Sequence, residues 1–394
     1  MIIQPKIRGF ICTTAHPAGC AKAIQEQIGY VKTHPAIKNG PKKALIIGAS
    51  TGYGLASRVV AAFGCGAATV GVFFERSAEN KRTATAGWYN SVAVQKFAKD
   101  AGLYAKSING DAFSDEIKKE TCEIIKKDLK EIDLVIYSLA SPRRTHPKTG
   151  LTAKSVLKPL GASYTNKTID FEKNEIITIS LPVATEEEVS QTVSVMGGED
   201  WGMWMDMLAE NKLLAPGVIS VAYSYIGPDI TQPVYRNGTI GAAKDHLETT
   251  AKKLDAKLKV VNGRAFVSVN TALVTQSSSA IPYIPLYFVL LSKAMKKQGI
   301  YEGCIEQMYR LFSQRLYTGK TTPVDSQGRI RIDDMEMRAD VQAEVGELWK
   351  IVSTENVKKI ADVDGYNKDF LKLFGFGVEG VDYNADVNPD LPLS

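Results

Sequence analysis

The feature that most constrains the fold is a glycine-rich turn between an apolar strand pattern and a helical pattern. Residues 43–47 (KALII) are largely apolar, the cluster GASTGYG follows at 48–54, and residues 54–63 continue with helical spacing. Further strand patterns lie at 69–74, 102–108 and 134–140, and an amphipathic helix pattern lies at 115–130. Alternating buried strands and amphipathic helices predict an α/β fold, a doubly wound parallel sheet with helices on both faces.

The regular alternation stops after residue 141. Residues 142–215 are polar and predict an irregular insertion, whereas strand patterns at 218–226 and 264–270 flank a helix from Ile240 to Leu258. Later helices are predicted at 286–297, 302–317, 338–352 and 354–361. We therefore predict one large domain over 1–394, made of a core (41–141 and 216–300), an insertion (142–215) and a helical C-terminal elaboration (301–394).

Composition and charge exclude several classes of protein. Of 394 residues, 44% are hydrophobic and 23% are charged, which excludes a disordered chain, a collagen and a disulfide scaffold. The net charge is +5 and the basic residues form no stripe, so we expect no nucleic-acid partner. The longest uncharged apolar stretch, residues 280–291, is shorter than the about 20 residues that span a bilayer, so we expect no membrane partner.

The cysteines and histidines point to neither a disulfide framework nor a metal site. The five cysteines are odd in number and lack CxxC spacing. The N-terminal stretch is broken by charge and proline, unlike a signal peptide, so we expect reduced thiols in a cytoplasmic protein. No metal is expected, and the histidines are interpreted as surface or structural residues: His16, His34, His146 and His246.

The glycine turn is also a candidate ligand site. Glycines let the backbone turn tightly and approach a pyrophosphate, and free N–H groups at a helix start attract its charge. The spacing of Gly48, Gly52 and Gly54 is GxxxGxG, the variant seen in short-chain dehydrogenases. Glu75 ends the second strand, where a carboxylate can accept hydrogen bonds from a ribose and repel a 2′-phosphate. This favours NADH over NADPH; the alternatives are a surface glutamate, or a phosphate accommodated by Arg76.

Tyr235 and Lys244 form a second candidate site. A nearby ammonium favours a phenolate, so we expect Lys244 to bring the pKa of Tyr235 down and to make it a plausible acid. Nine residues along one helix lie on opposite faces, so the pair requires Tyr235 to precede the helix. Gly238 breaks the helical run and Thr239 is a good N-cap. A surface pair without function is the alternative.

Several longer segments together carry a specific resemblance. They are GASTGYG (48–54), FFE (73–75), GWYN (87–90), GDAFSDE (110–116), YSLASPRRTHPKTG (137–150), VMGGEDW (195–201), AYSYIG (222–227) and the Tyr-x8-Lys pair. With these, the chain resembles the trans-2-enoyl reductase family, which comprises type-V enoyl-acyl-carrier-protein reductases and trans-2-enoyl-CoA reductases. The resemblance covers essentially the whole chain. It implies a Rossmann, short-chain-dehydrogenase-like fold with extended termini, and NADH-dependent reduction of the trans-2 double bond of an enoyl thioester.

The resemblance also implies roles for individual residues. The family's proton donor falls on Tyr235, its lysine on the nicotinamide ribose falls on Lys244, and a substrate-contacting position falls on Tyr225. The family's cofactor positions fall on Gly48, Ala49, Ser50, Thr51, Gly52, Tyr53, Phe74, Glu75, Asp111, Ala112, Leu139, Ala140, Leu273, Val274 and Thr275.

The sequence alone does not decide the acyl carrier or the oligomeric state. The carrier is either acyl-carrier protein or coenzyme A, and the carrier protein is favoured because residues 142–150 and the NPD tail (388–390) resemble that branch of the family more closely. Arg143 and Arg144 either meet a phosphate of that carrier or lie in a solvated loop. Other functions are a short-chain dehydrogenase acting on an alcohol, ketone or hydroxyacyl group, or a non-catalytic NAD(H) sensor, which has little need of a placed Tyr and Lys. The elaborated termini favour a monomer.

Overall fold

Twelve α-helices and thirteen strands are found in the computed structural model, which describes residues 1–9, 11–80 and 82–393. The strands are β1 (Ile7–Arg8), β2 (Ile11–Cys12), β3 (Lys43–Ile47), β4 (Ala68–Phe73), β5 (Ala105–Asn109), β6 (Ile132–Tyr137), β7 (Arg143–Thr145), β8 (Thr152–Lys154), β9 (Tyr164–Asp170), β10 (Glu175–Leu181), β11 (Leu214–Ser224), β12 (Arg264–Val269) and β13 (Ile330–Arg331). The helices are α1 (Pro17–Thr33), α2 (Gly52–Val59), α3 (Ala86–Asp100), α4 (Asp115–Ile124), α5 (Glu186–Met196), α6 (Glu199–Glu210), α7 (Thr239–Leu258), α8 (Ile284–Lys297), α9 (Cys304–Leu311), α10 (Ala339–Ile351), α11 (Val357–Ile360) and α12 (Val363–Lys372).

Seven parallel strands form the central sheet in the order β13-β12-β11-β6-β3-β4-β5. The chain builds β3, β4 and β5 outward in one direction and then crosses back to place β6 on the other side of β3. The strand order therefore reverses between β3 and β6, which creates a crevice at the carboxyl ends of these two strands. The predicted doubly wound, Rossmann-like α/β fold is confirmed.

Helices cover both faces of this sheet, which explains why its strands are continuously apolar. One face packs against α1, α2, α3 and α9, and the other packs against α4, α6 and α7. Trp201 and Trp204 of α6 are fully buried in the second layer. These two tryptophans therefore pack α6 onto the sheet.

The prediction that residues 142–215 are irregular is wrong. This segment contains the hairpins β7–β8 and β9–β10 and the helices α5 and α6, and β11 already begins at Leu214. Strands β7 and β8 have three residues each, and β10 exposes much of its length, so neither hairpin produces a long apolar pattern. The start of α5 did carry a signal, since Thr185 and Glu188 form a capping box.

The C-terminal residues build a third apolar layer beside the sheet, in which α8 packs against α10 and α12. The apolar stretch after residue 280 belongs to it, because Leu286, Tyr287 and Phe288 are buried. Beyond α12 the tail crosses α3, where the Trp88 indole donates to the carbonyl of Leu391 (2.8 Å). Within the described ranges, no helix is long and apolar enough to cross a membrane.

Candidate active site

A cavity of about 800 Å³ opens at the carboxyl ends of β3, β4, β6, β11 and β12. This is the crevice where the strand order reverses, the usual ligand site of open α/β sheets. Its volume lies within the roughly 300–1,000 Å³ range of small-molecule and cofactor sites. The predicted site residues on its wall are Gly48, Ser50, Thr51, Gly52, Tyr53, Phe74, Glu75, Asp111, Ala112, Leu139, Ala140, Tyr225, Tyr235, Lys244, Leu273 and Thr275.

Two predicted residues do not line the cavity. Ala49 is fully buried among the apolar side chains beneath the sheet, and Val274 is 8% exposed and packs into the C-terminal apolar layer. Each lies between two residues that do line the cavity, Gly48 and Ser50 in one case and Leu273 and Thr275 in the other. The resemblance to the family predicts continuous segments as cofactor-binding. The structure shows which residues of each segment line the cavity and which are buried behind it.

The glycine turn is tight because β3 and β6 approach closely at this point. Gly48 has a φ of +88°, and a Cβ atom there would lie 2.0 Å from the backbone oxygen of Ser138. A Cβ atom on Gly54 would lie 2.0 Å from the backbone oxygen of Gly48. Helix α2 begins here without a side-chain cap on its first N–H groups. These free N–H groups face the cavity end where a diphosphate would be held.

The carboxylate of Glu75 is fixed at the cavity edge. The hydroxyl of Ser50, in the glycine turn, donates to Glu75 Oε1 (2.7 Å). Asn109, at the end of β5, forms two hydrogen bonds with the Glu75 backbone (2.7 and 2.9 Å). Gly87 leaves room for the carboxylate, since a Cβ atom there would lie 2.0 Å from Glu75 Oε1. The roles of Asn109 and Gly87 were missed from the sequence, although Gly87 lies in the GWYN segment.

A buried ion pair supports the backbone at Asp111 and Ala112. The Lys118 ammonium lies 2.8 Å from Asp200, and both side chains are at most 1% exposed. The same ammonium donates to the Ala112 carbonyl (3.1 Å), which also accepts from the Trp204 indole (3.0 Å). Helix α6 of the insertion therefore shapes this end of the cavity.

Arg143 and Arg144 have different environments. Arg143 is exposed and lines the cavity mouth. Arg144 is 1% exposed, and its guanidinium donates to Glu199 (2.6 Å) and to the carbonyl of Ser194 (2.7 Å). The expectation that Arg144 meets a carrier phosphate or solvent is therefore wrong, because its charge is already paired inside the protein.

Tyr235 and Lys244 both line the other end of the cavity, where Tyr235 packs against Tyr225 beyond the end of β11. Tyr235 precedes α7, as the pair requires, and is 6% exposed. The cap differs from the prediction: Gly238 is the N-cap, and Thr239 is the first helical residue, with its hydroxyl donating to a loop carbonyl. The Lys244 ammonium donates to the carbonyl of Tyr223 (3.0 Å).

Burial changes the protonation behaviour of this pair. Desolvation lowers the pKa of Lys244 to about 8, opposed by the nearby Glu248 carboxylate. Desolvation raises the pKa of Tyr235 above its ordinary value. The expectation that Lys244 brings the Tyr235 pKa down is thus wrong for the protein alone. At neutral pH Lys244 is a cation and Tyr235 is a neutral phenol, which is a hydrogen-bond donor.

Three polar groups of the wall lack protein partners within the described residues. They are Ser224 Oγ, Asn270 Nδ2 and Thr271 Oγ1, and all three residues are buried at the ends of β11 and β12. Buried polar atoms are normally hydrogen-bonded. Unpaired groups on a cavity wall fit a ligand that carries hydroxyl, amide and phosphate groups, as a nicotinamide dinucleotide does.

The fold and this cavity together define a class of protein, the dinucleotide-dependent oxidoreductases with a Rossmann-like fold. A family model described as "NAD(P)H binding domain of trans-2-enoyl-CoA reductase" matches residues 2–80. A second model, "Trans-2-enoyl-CoA reductase catalytic region", matches residues 82–317. The chain belongs to the trans-2-enoyl-CoA reductase family, as its sequence segments predicted.

Similar proteins cover this chain from end to end. The NADH-dependent enoyl-acyl-carrier-protein reductase of Cytophaga hutchinsonii is 61% identical over 393 residues, covering 100% of this chain and 99% of the relative. The enoyl-acyl-carrier-protein reductase (NADH) of Opitutus terrae is 59% identical and covers 100% of both chains. The crystal structure of Treponema denticola trans-2-enoyl-CoA reductase in complex with NAD is 50% identical, has a TM-score of 0.96 and covers 100% of both chains.

A third model, described as "Enoyl reductase FAD binding domain", matches residues 324–387, and these residues do not fit a flavin. None of their described members lines the 800 Å³ cavity. A second cavity that includes Val324 and Gln327–Arg329 has a volume of about 200 Å³, below the range of cofactor sites. The segment instead supplies core side chains and the carboxylate of Glu336, which was missed from the sequence.

Proposed function

We propose that this protein uses NADH to reduce the trans-2 double bond of an enoyl thioester. The observation that carries the proposal is one cavity with two different ends. The glycine turn and Glu75 lie at one end, and the neutral phenol of Tyr235 and the ammonium of Lys244 lie at the other. The names of the similar proteins, which are NADH-dependent enoyl-acyl-carrier-protein reductases and a trans-2-enoyl-CoA reductase, support the same reaction.

The chemistry divides between the cofactor and the protein. Bound NADH supplies the hydride that C3 of the substrate receives. Negative charge then develops on the thioester oxygen, and a hydrogen-bond donor placed at that oxygen stabilises the transition state. Tyr235 suits this role because its phenol is neutral and its hydroxyl has no hydrogen bond to another described residue. The same hydroxyl supplies a proton to C2 of the resulting enolate, which completes the reduction, and the tyrosinate then regains a proton from solvent.

Lys244 has a holding and an electrostatic role in this proposal. One of its three N–H donors is used by the Tyr223 carbonyl, which fixes the ammonium at the wall and leaves two donors for the nicotinamide ribose. Its positive charge also favours negative charge developing nearby.

Selection of NADH is assigned to Glu75. The hydrogen bond from Ser50 fixes one carboxylate oxygen and leaves the other for ribose hydroxyls. A 2′-phosphate would meet this fixed negative charge and be repelled by it. The neighbouring Arg76 is exposed to solvent and forms no ion pair with the Glu75 carboxylate in the described structure.

The proposal also covers the acyl carrier, the oligomeric state and the cellular location. Acyl-carrier protein is favoured over coenzyme A, on the exposed Arg143 at the cavity mouth and the names of the bacterial relatives. We also propose a single domain over 1–394, a monomer, and a cytoplasmic location for a chain whose five cysteines are free thiols.

One turnover series tests the reaction. NADH oxidation is followed with crotonyl-CoA, with a crotonyl group on acyl-carrier protein, and with a hydroxyacyl-CoA offered with NAD. We expect oxidation with both enoyl thioesters, a higher kcat/KM with the carrier protein, and none with the hydroxyacyl substrate. Activity with the hydroxyacyl substrate alone would instead identify an alcohol dehydrogenase, and binding without turnover would identify a sensor.

A further inference from the structure

A buried carboxylate stands behind the reaction end of the cavity. Glu336 lies in the turn between β13 and α10 and is 0% exposed. Its Oε1 accepts hydrogen bonds from the hydroxyls of Tyr225 (2.8 Å) and Tyr287 (2.7 Å). Its Oε2 accepts the backbone N–H of Ala272 (2.8 Å). Three donors converge on two oxygens, an arrangement that matches an ionised carboxylate.

Two of these three contacts lead directly to the cavity wall. Tyr225 lines the cavity, and its ring meets the Tyr235 ring edge-on, with the centroids 4.8 Å apart and an interplanar angle of 86°. Ala272 lines the cavity within the segment 270–275. One carboxylate therefore fixes the tyrosine beside the proposed proton donor and also the backbone of this wall segment at Ala272.

The carboxylate is itself held by rigid elements. Tyr287 belongs to α8, and Gln342 belongs to α10, which packs against α8. The Gln342 amide donates to the Tyr287 hydroxyl (3.1 Å) and to the backbone carbonyl of Glu336 (2.7 Å). A site group supported on packed helices keeps its geometry better than one on a free loop.

We propose that Glu336 is a positioning residue of this reductase that acts through Tyr225. By accepting the Tyr225 hydroxyl, it fixes the Tyr225 ring and with it the Tyr235 ring that packs against it. The same bond occupies the Tyr225 proton, so Tyr235 remains the tyrosine that is free to donate to the substrate. The inference rests on the proposed function, because it assigns Glu336 to that same reaction.

The charge of Glu336 gives this role a signature in the pH profile. Burial raises the pKa of Glu336 to about 7, opposed by the hydrogen bonds from Ala272, Tyr287 and Tyr225. Below this pH one oxygen carries a proton, and one of the three donated hydrogen bonds loses its acceptor. Activity should therefore fall as the pH drops through about 7. The titratable groups around the carboxylate are Tyr53, Tyr225, Tyr287 and Asp333.

The experiment compares the wild-type protein with Glu336→Gln, Tyr225→Phe and the double variant. For each, kcat and KM for crotonyl-CoA and the binding of NADH are measured from about pH 6 to about pH 8.5. We expect Glu336→Gln to lower kcat about tenfold, the lower end of the range for one charge-assisted hydrogen bond, with NADH binding unchanged. It should also lack the acid-side fall of the wild type. The double variant should be no slower than Tyr225→Phe, because the two residues act in series.

Two further variants separate positioning from general stability. Tyr287→Phe removes one donor from the same carboxylate but keeps the Tyr225–Glu336 hydrogen bond, and it should retain the acid-side fall. If Glu336→Gln does not fold, Glu336→Asp takes its place; it keeps the charge but withdraws the oxygens, so kcat should fall while the pH dependence remains.

The inference is overturned if Glu336→Gln keeps the wild-type kcat and pH profile, or if the losses of the two single variants multiply in the double variant. A wild-type protein that reduces no enoyl thioester would contradict the proposed function instead, so the two failures are distinguishable.

Discussion

The two ends of the cavity are built in different ways. The end with the glycine turn uses residues from one stretch of the chain, 48–112. These residues directly follow strands β3, β4 and β5. The reaction end combines Tyr225, Tyr235 and Lys244 with Glu336, which lies 111 residues beyond Tyr225 in the chain. The first end is a property of local backbone geometry, and the second depends on how distant segments pack.

This difference predicts that substitutions at the two ends have different kinetic effects. Changes at the glycine-turn end should alter which dinucleotide binds and how tightly. Changes at the reaction end should alter the rate of the bound complex. Each substitution below tests whether the two ends are functionally as separate as they are structurally.

Tyr235→Phe should lower kcat by roughly 10²-fold or more, with NADH binding nearly intact, because it removes the donor at the thioester oxygen. Tyr225→Phe should lower activity less, with a larger share of the loss in KM. Steady-state kinetics with crotonyl-CoA and NADH binding by fluorescence measure both effects. Tyr104→Phe is the control, since that hydroxyl bonds Asp128 outside the cavity. A normal kcat in Tyr235→Phe with collapse in Tyr225→Phe would move the donor role to Tyr225.

Lys244→Ala should weaken NADH binding and lower turnover together, by roughly 10- to 150-fold, the value of a charge-assisted hydrogen bond. It is the one substitution expected to change both NADH affinity and turnover, because the ammonium is proposed to bind the nicotinamide ribose and lies at the reaction end of the cavity. Lys253→Ala, on the exposed face of the same helix, provides the control. Unchanged binding and turnover in Lys244→Ala would place this lysine outside the site.

Glu75→Ala should reduce the preference for NADH over NADPH by about tenfold, equivalent to about 1.4 kcal/mol, with kcat for NADH largely retained. The physical reason is loss of like-charge repulsion at the 2′-position. The ratio of kcat/KM values for the two dinucleotides measures it, with the exposed Glu79→Ala as control. A wild-type protein that prefers NADPH would contradict this assignment of Glu75.

Gly87→Ala should raise the KM for NADH about threefold, because its Cβ atom would push Glu75 off its present rotamer at a cost of about 0.5–1.5 kcal/mol. Gly29→Ala is the matched control, a mid-helix glycine of α1 with open space at its Cβ position. Both variants should gain helix propensity, but only Gly87→Ala should lose NADH affinity. Equal kinetics in the two variants would show that Glu75 moves aside without consequence.

The same difference explains what the sequence could predict. Strands β3 and β4 and helix α7 were predicted to within a residue or two, because a buried parallel strand and a long amphipathic helix carry strong local patterns. The sequence patterns do not predict helices α1, α3 and α12, nor the hairpins and helices within residues 142–215. Their short or mixed patterns become regular only through tertiary contacts.

The site divides in the same manner. The glycine turn and Glu75 follow from spacing, since positive φ and strand ends are local properties. The position of Tyr235 before α7 followed from Gly238, but its pKa did not, because desolvation depends on everything packed around it. Glu336 has no motif around it, and its role depends on contacts with Tyr225 and Tyr287 that no spacing rule contains.

The unpaired polar groups at Ser224, Asn270 and Thr271 have a consequence for the lifetime of the protein in a cell. A buried polar group without a partner costs about 1–3 kcal/mol of folding free energy. A dinucleotide that bonds these groups binds only the folded chain, and at 100 times its Kd it adds about 2.7 kcal/mol to stability. Cells depleted of dinucleotide should therefore degrade this enzyme faster, so its abundance would follow the supply of its own reductant.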